Sequence, residues 1–197
     1  MKSIITIPNL LTVSRIALLP FFVLAFFLNS KFGSGLALSI FVFCCITDYL
    51  DGYYARTYKQ STKIGQMLDP LADKVFISVT ILFIAGFGKI SMSAMLPAAI
   101  ILCREIIISG VRDASVSNKI VFATSRLSKW KTATQMISIG FILIADTCSG
   151  NVRQFISVSG ESIFWLSAII SIISGVEYCR IHLVPFLRNS SRLNKRS

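Results

Sequence analysis

Charge is what this chain has least of. Lys, Arg, Asp and Glu make up 15% of its 197 residues, where a soluble domain carries about 25%. Acid is scarcer still: nine Asp and Glu stand against twenty Lys and Arg, and His182 is the single histidine. A chain that is 54% hydrophobic and so poor in charge has to hide its surface from water by some means other than a polar coat. The five cysteines (Cys44, Cys45, Cys103, Cys148 and Cys179) form no CxxC pair and show no ligand spacing, which argues against a zinc or redox centre. They lie in or beside apolar runs, where a thiol packs as a small hydrophobe. No cleavable leader is evident, because the first apolar run continues past any small-residue cleavage site.

What is present is a succession of long apolar runs. Six spans can be read, at roughly 10–28, 34–56, 66–88, 93–114, 128–148 and 161–183, each close to the ~20 residues that cross a hydrocarbon layer. Inside lipid every backbone N–H must be paired within its own segment. The expected fold class is therefore all-α, a polytopic membrane bundle of six transmembrane helices in a single domain, 1–197. Residues 1–9 read as a short interfacial lead-in broken by Pro8, and residues 185–197 as a basic polar tail. Trp130 and Trp165 suit the aromatic belts at the two interfaces, and His182 falls near a span end.

A net charge of +11 would suit nucleic acid, but the charges sit at the ends of apolar runs, so no nucleic-acid partner is expected and the lipid bilayer is. Their placement sets orientation. One side collects Lys2, Arg56, Lys59, Lys63, Arg112, Lys119, Arg126, Lys129, Lys131, Arg188, Arg192, Lys195 and Arg196; the other has Lys31, Lys89 and Arg153. The first side should be cytoplasmic, with both termini inside. Arg15, Lys74, Arg104 and Arg180 fall within spans; for Arg15 and Lys74 a snorkelling side chain is one reading.

Four of the nine acids fall close together: Asp48, Asp51, Asp69 and Asp73. On helices the first two are i,i+3 and the last two i,i+4, so each pair shares a face. A short link after Arg56 makes the two spans antiparallel neighbours, which brings all four toward the cytoplasmic end. Ionised carboxylates in a low-dielectric site repel one another, and a divalent cation with a taste for oxygen, Mg2+ or Mn2+, removes that cost. Gly52 and Gly65 leave room for close approach of a ligand. Blander readings exist: Asp69 before Pro70 suits an N-cap and N1 proline, and Asp48 and Asp51 could be solvated at a helix end. Carboxylates within spans are costly and usually functional; a proton or cation transporter would use them as well as an enzyme would.

The run Asp48-Tyr-Leu-Asp51-Gly52-Tyr-Tyr-Ala55-Arg56, eight residues, then Gly65-x-x-x-Asp69-x-x-x-Asp73 resembles the complete signature of the CDP-alcohol phosphotransferases. Pro8-Asn9-Leu-Leu-Thr12-x-x-Arg15, Leu71-Ala72-Asp73-Lys74, Arg104-Glu105-Ile-Ile-Ile and Lys129-Trp-Lys131-Thr-Ala are similar to the branch of that family that makes phosphatidylglycerophosphate. The likeness covers roughly residues 5–140; beyond that only hydropathy is familiar.

The resemblance implies transfer of a phosphatidyl group from CDP-diacylglycerol to sn-glycerol 3-phosphate, with release of CMP, by a homodimer in a bacterial inner membrane. It implies metal ligands at Asp48, Asp51 and Asp69, with Asp73 sharing a second metal ion and serving as catalytic base. It implies contacts to the CDP moiety from Asn9, Thr12, Asp48, Gly52, Ala55, Arg56 and Gly65. A dianionic acceptor also calls for cations. Arg104 and Arg112, eight apart on one span, lie on roughly the same side, and arginine grips phosphate through paired hydrogen bonds. Lys129 and Lys131 cannot both face inward on a regular helix, and Lys131 is the one taken here. Plain flanking charge is the competing explanation for Arg112, Lys129 and Lys131, and pairing with Glu105 for Arg104. The motif reads the shared donor, so a sister enzyme using inositol, serine or phosphatidylglycerol, or a cation-coupled transporter, are the alternatives.

Overall fold

The structure is a computed structural model. It describes the backbone of residues 7–28, 30–58, 63–116 and 126–180, and the side chains of 10–28, 30–50, 71–111 and 127–180. Six helices run through the described residues: α1 (Ile7–Phe27), α2 (Lys31–Tyr58), α3 (Lys63–Gly86), α4 (Met95–Val116), α5 (Arg126–Thr147) and α6 (Gly150–Tyr178). Three of them are long and apolar enough to cross a membrane, over Leu10–Phe27, Lys31–Leu50 and Gly150–Tyr178.

Two boundaries differ from the sequence reading. Helix α1 already starts at Ile7, so Pro8 opens it rather than breaking a lead-in; in a first turn the missing N–H has no partner to lose. Helix α6 begins at Gly150, well before the span expected near 161. Its first turns mix polar Asn151, Arg153 and Gln154 with exposed Val152 and Phe155, and the polar residues interrupt the apolar run without stopping the helix. Twenty-nine residues make a rod of about 44 Å, longer than the ~30 Å hydrocarbon layer. Gly150 supplies the left-handed φ of 62° that lets the chain reverse out of α5.

The chain divides into two compact units, Met1–Ser91 with Ile139–Glu161, and Met92–Ser138 with Ser162–Ser197. In the first, α1 packs on α2 and α3 through phenylalanines. Phe22 meets Phe76 at 5.6 Å between ring centres, Phe26 meets Phe83 at 5.6 Å, and Phe41 stacks on Phe76 at 5.9 Å. Because lipid is as apolar as a side chain, such contacts hold helices by close packing rather than by escape from water. Small residues set how close. A Cβ on Gly33 would come within 2.5 Å of the Ala25 carbonyl oxygen, so α1 and α2 touch backbone to backbone there. Ser30 caps α2 by accepting the Gly33 N–H at 3.2 Å, the usual N-cap arrangement.

The end of this unit where α2 begins is tied by charge. Asp146 accepts from Lys89 at 2.7 Å and from the Ser34 hydroxyl, and lies 3.9 Å from Arg153. Lys31 donates to Ser149 at 2.8 Å. Lys89 is aimed by the turn that closes α3: Gly88 at φ 63°, with Lys89 N–H to Ile84 O at 2.8 Å and Gly88 N–H to Ala85 O at 3.1 Å, a Schellman closure. The three basic residues assigned by sequence to the far side thus gather at one end.

The second unit has an apolar interior at Ile101, Ile108, Phe164 and Ala168, crossed by a buried polar seam of Lys131, Gln135, Ser138, Ser167, Ser171 and Ser174. Ser138 and Ser174 donate to carbonyls of their own helices, Gln135 O and Ser171 O, at 2.8 and 3.0 Å.

The Gly33 contact makes a direct prediction. Gly33→Ala should destabilise the protein by about 1–3 kcal/mol through overpacking, whereas Gly35→Ala, whose Cβ would meet nothing within 4 Å, should be neutral or better. Thermal unfolding of both variants in the same micelle checks it; equal midpoints would disprove the close approach.

Candidate active site

The carboxylate site is built on three helices of the first unit. Asp48 lies on the C-terminal half of α2 and Asp73 on α3. Between them sits Arg15 of α1, which donates from one nitrogen, Nη1, to Asp48 Oδ1 at 2.7 Å and to Asp73 Oδ1 at 2.7 Å. The two carboxylate oxygens can therefore be no further apart than twice that distance. Arg15 has 2% of its side chain exposed, while Asp48 and Asp73 keep 34% and 39%. The cation is at the bottom and the carboxylates open outward. Thr12, one turn before Arg15, is buried as well.

The backbone of α2 is helical through Asp51, Gly52, Ala55 and Arg56, and that of α3 through Gly65 and Asp69, so the spacings read from the sequence hold. The side chains of Asn9, Asp51, Gly52, Ala55, Arg56, Gly65, Asp69 and Arg112 lie outside the described residues. What is visible is that α2 and α3 bring Asp48 and Asp73 together, and that the snorkelling reading of Arg15 is wrong. A snorkelling arginine extends toward water; this one is held inward by two carboxylates. The signal was available in the sequence, since a charge within a span needs a partner and the only nearby acids were those of the motif.

The donor set suits a divalent metal. Carboxylate oxygens from two helices, partly open to solvent and already arranged around one positive charge, are the ligands a hard cation selects. Among the described residues no group of three or more ligating side chains occurs; Asp51 and Asp69 are not among the side chains described.

The second unit holds a charged cluster of its own. Glu105 on α4 binds Lys131 of α5 and lies 3.6 Å from Arg104. Arg104 also donates to Ser174 at 3.1 Å, and its stem packs where Gly175 has no side chain, with a Cβ there only 3.3 Å from Arg104 Cγ. Lys131 is buried and Lys129 exposed, which is how the two divide their directions. Two positive groups share one negative group, so the trio carries one net positive charge. Sequence reasoning missed Ser174 and Gly175, which no motif marks.

Comparison with known proteins agrees with this chemistry. A family model for CDP-alcohol phosphatidyltransferase matches residues 5–173, and the chain belongs to that family: it is a phosphatidyltransferase of the membrane. The match runs past the stretch in which motifs could be recognised. Relatives named CDP-diacylglycerol--glycerol-3-phosphate 3-phosphatidyltransferase include one from Rickettsia felis, 36% identical over 172 residues, 87% of this chain and 92% of the relative. Another, from Pectobacterium atrosepticum, is 44% identical over 139 residues, 70% of this chain and 76% of the relative. A third, from Haemophilus influenzae, is 34% identical over 185 residues, 93% and 96% of the two chains.

The Glu105 trio can be tested by a double-mutant cycle. Glu105→Leu leaves the buried Lys131 and the partly buried Arg104 without this carboxylate and should cost up to about 3–5 kcal/mol. Adding Lys131→Leu should return part of that loss, giving a coupling of about 0.5–3 kcal/mol. Equilibrium denaturation in mixed micelles reads both quantities, and strict additivity would mean the pair is adjacent but not coupled.

Proposed function

We propose that the chain transfers the phosphatidyl group of CDP-diacylglycerol to sn-glycerol 3-phosphate, forming phosphatidylglycerophosphate and CMP. The observation that carries this reading is the meeting of Asp48 and Asp73 around one positive charge, within a motif whose relatives share the name given above. Asp48, Asp51, Asp69 and Asp73 would hold Mg2+ or Mn2+, two ions in all. When bound, the metal neutralises the diphosphate and the charge that builds on the departing CMP.

The rest falls to the chain's own residues. Asp73 takes the proton from the acceptor hydroxyl, whose oxygen then attacks the phosphatidyl phosphorus. The bond from that phosphorus to the bridging oxygen breaks, and CMP leaves with the electron pair. A carboxylate that serves as base must stay accessible, and Asp73 is the more exposed of the two described. Asn9, Thr12, Asp48, Gly52, Ala55, Arg56 and Gly65 bind the CDP moiety. Arg104, Arg112 and Lys131 bind the acceptor phosphate, for which the net positive charge of the Arg104–Glu105–Lys131 trio is suited. The setting is a six-span, single-domain homodimer in a bacterial inner membrane, with the site at the cytoplasmic face.

Purified protein given CDP-diacylglycerol and a panel of alcohols should release CMP with glycerol 3-phosphate and not with inositol, serine or phosphatidylglycerol. Chelation should stop the reaction, and Mg2+ or Mn2+ should restore it. Asp48→Asn should abolish turnover. Asp73→Asn should lower it by at least ~10²-fold while retaining more donor binding. Arg104→Ala should raise the acceptor KM by about ten- to hundredfold, the worth of a charge-assisted hydrogen bond, and Arg104→Lys should recover only part of this. Release of CMP with another alcohol instead would move the chain to a sister activity; full activity in metal-free buffer would remove the metal.

A further inference from the structure

We propose that Arg15 is the resident counter-cation of the carboxylate site, a positioning residue that holds Asp48 and Asp73 together without metal and whose charge opposes metal uptake. This rests on the metal-site reading above.

Arg15 comes from α1, whereas the two carboxylates come from α2 and α3, so one side chain joins three helices at the point where the acids converge. Both bonds are 2.7 Å long and leave from the same nitrogen. A guanidinium does not lose its proton in a protein, so its charge is permanent. At 2% exposure it is deeper than either acid, and water contributes little to solvating it. Burying a charge within a span is expensive, and here the expense is offset by the two carboxylates it separates.

A divalent ion on Asp48 and Asp73 would do the same work from the open side of the pair. Two cations drawing on the same carboxylates repel each other and divide the same negative charge, so each weakens the other, and by linkage the effect is reciprocal. Removing Arg15 should therefore have two opposite consequences. The metal-free protein loses the charge that keeps α2 and α3 together, and the metal-bound protein loses a competitor. An arginine with a merely structural role would produce only the first, to the same extent with or without metal. An arginine that only shaped the site would make metal binding weaker when lost.

The experiment uses the full chain in micelles, with Mn2+ alone as the probe and free Mn2+ read by electron paramagnetic resonance. Arg15→Met and Arg15→Gln should bind Mn2+ at least about fivefold more tightly than wild type, the lower end of an ordinary coupling. Their unfolding midpoint should fall in chelator and recover toward wild type at saturating Mn2+. Arg15→Lys, which keeps the charge, should stay near wild type in affinity. Unchanged or weaker Mn2+ binding in both neutral variants, or an equal fall of the midpoint with and without Mn2+, overturns the proposal while leaving the metal site intact. So does failure of both to fold when prepared in saturating Mn2+. If wild type itself binds no Mn2+, the metal-site reading fails first and Arg15 has nothing to oppose.

Discussion

Two carboxylates on neighbouring helices, both partly open to water, share one buried positive charge, Arg15. Like charges about 4 Å apart repel by roughly 4 kcal/mol at an effective dielectric of 20, a sizeable part of the 5–15 kcal/mol that holds an ordinary domain. Asp48 and Asp73 are each about one-third exposed, so solvent screens part of this. Arg15 offsets part of what remains, and through it α1 is tied to both α2 and α3.

The rest of the first unit is arranged so that the contact can persist. Phenylalanines fill the space among α1, α2 and α3, and Gly33 lets α1 and α2 meet backbone to backbone. Ser34 and Asp48 lie fourteen residues apart on α2, about 21 Å along its axis, and Asp146 binds Ser34 near the start of that helix. The helix is therefore held by carboxylates at two places, near its start and in its C-terminal half. Asp146 is bonded by Lys89 and Ser34 and kept mostly from solvent. Asp48 and Asp73 stay more open, at 34% and 39% exposure.

Much of this was legible beforehand, for reasons that can be named. Asp48, Asp51, Asp69 and Asp73 stand out because acids are rare in apolar runs and because helical spacing is easily read. The helices were legible from hydropathy, three of them long and apolar enough to cross a membrane, except that α6 reaches back to Gly150, where Asn151, Arg153 and Gln154 interrupt the apolar pattern. Arg15 was visible with snorkelling as one reading, because a sequence gives a charge's depth in a helix and not the direction in which its side chain turns. The Asp146 cluster was invisible, since its bonds reach Ser34 and Lys89, distant along the chain, with no motif. Helical geometry said only that Lys129 and Lys131 cannot both face inward, and the structure buries Lys131 and exposes Lys129.

The central claim is that Asp48 and Asp73, from different helices, form one cation site. Crystals of the protein grown with Mn2+ and measured at the manganese absorption edge test it most directly. An anomalous peak within about 2.0–2.6 Å of oxygens from both α2 and α3 carboxylates, the range for hard divalent cations, is the expected result. A peak bound to one helix alone, or an ordered site elsewhere with these carboxylates still held only by Arg15, would contradict it.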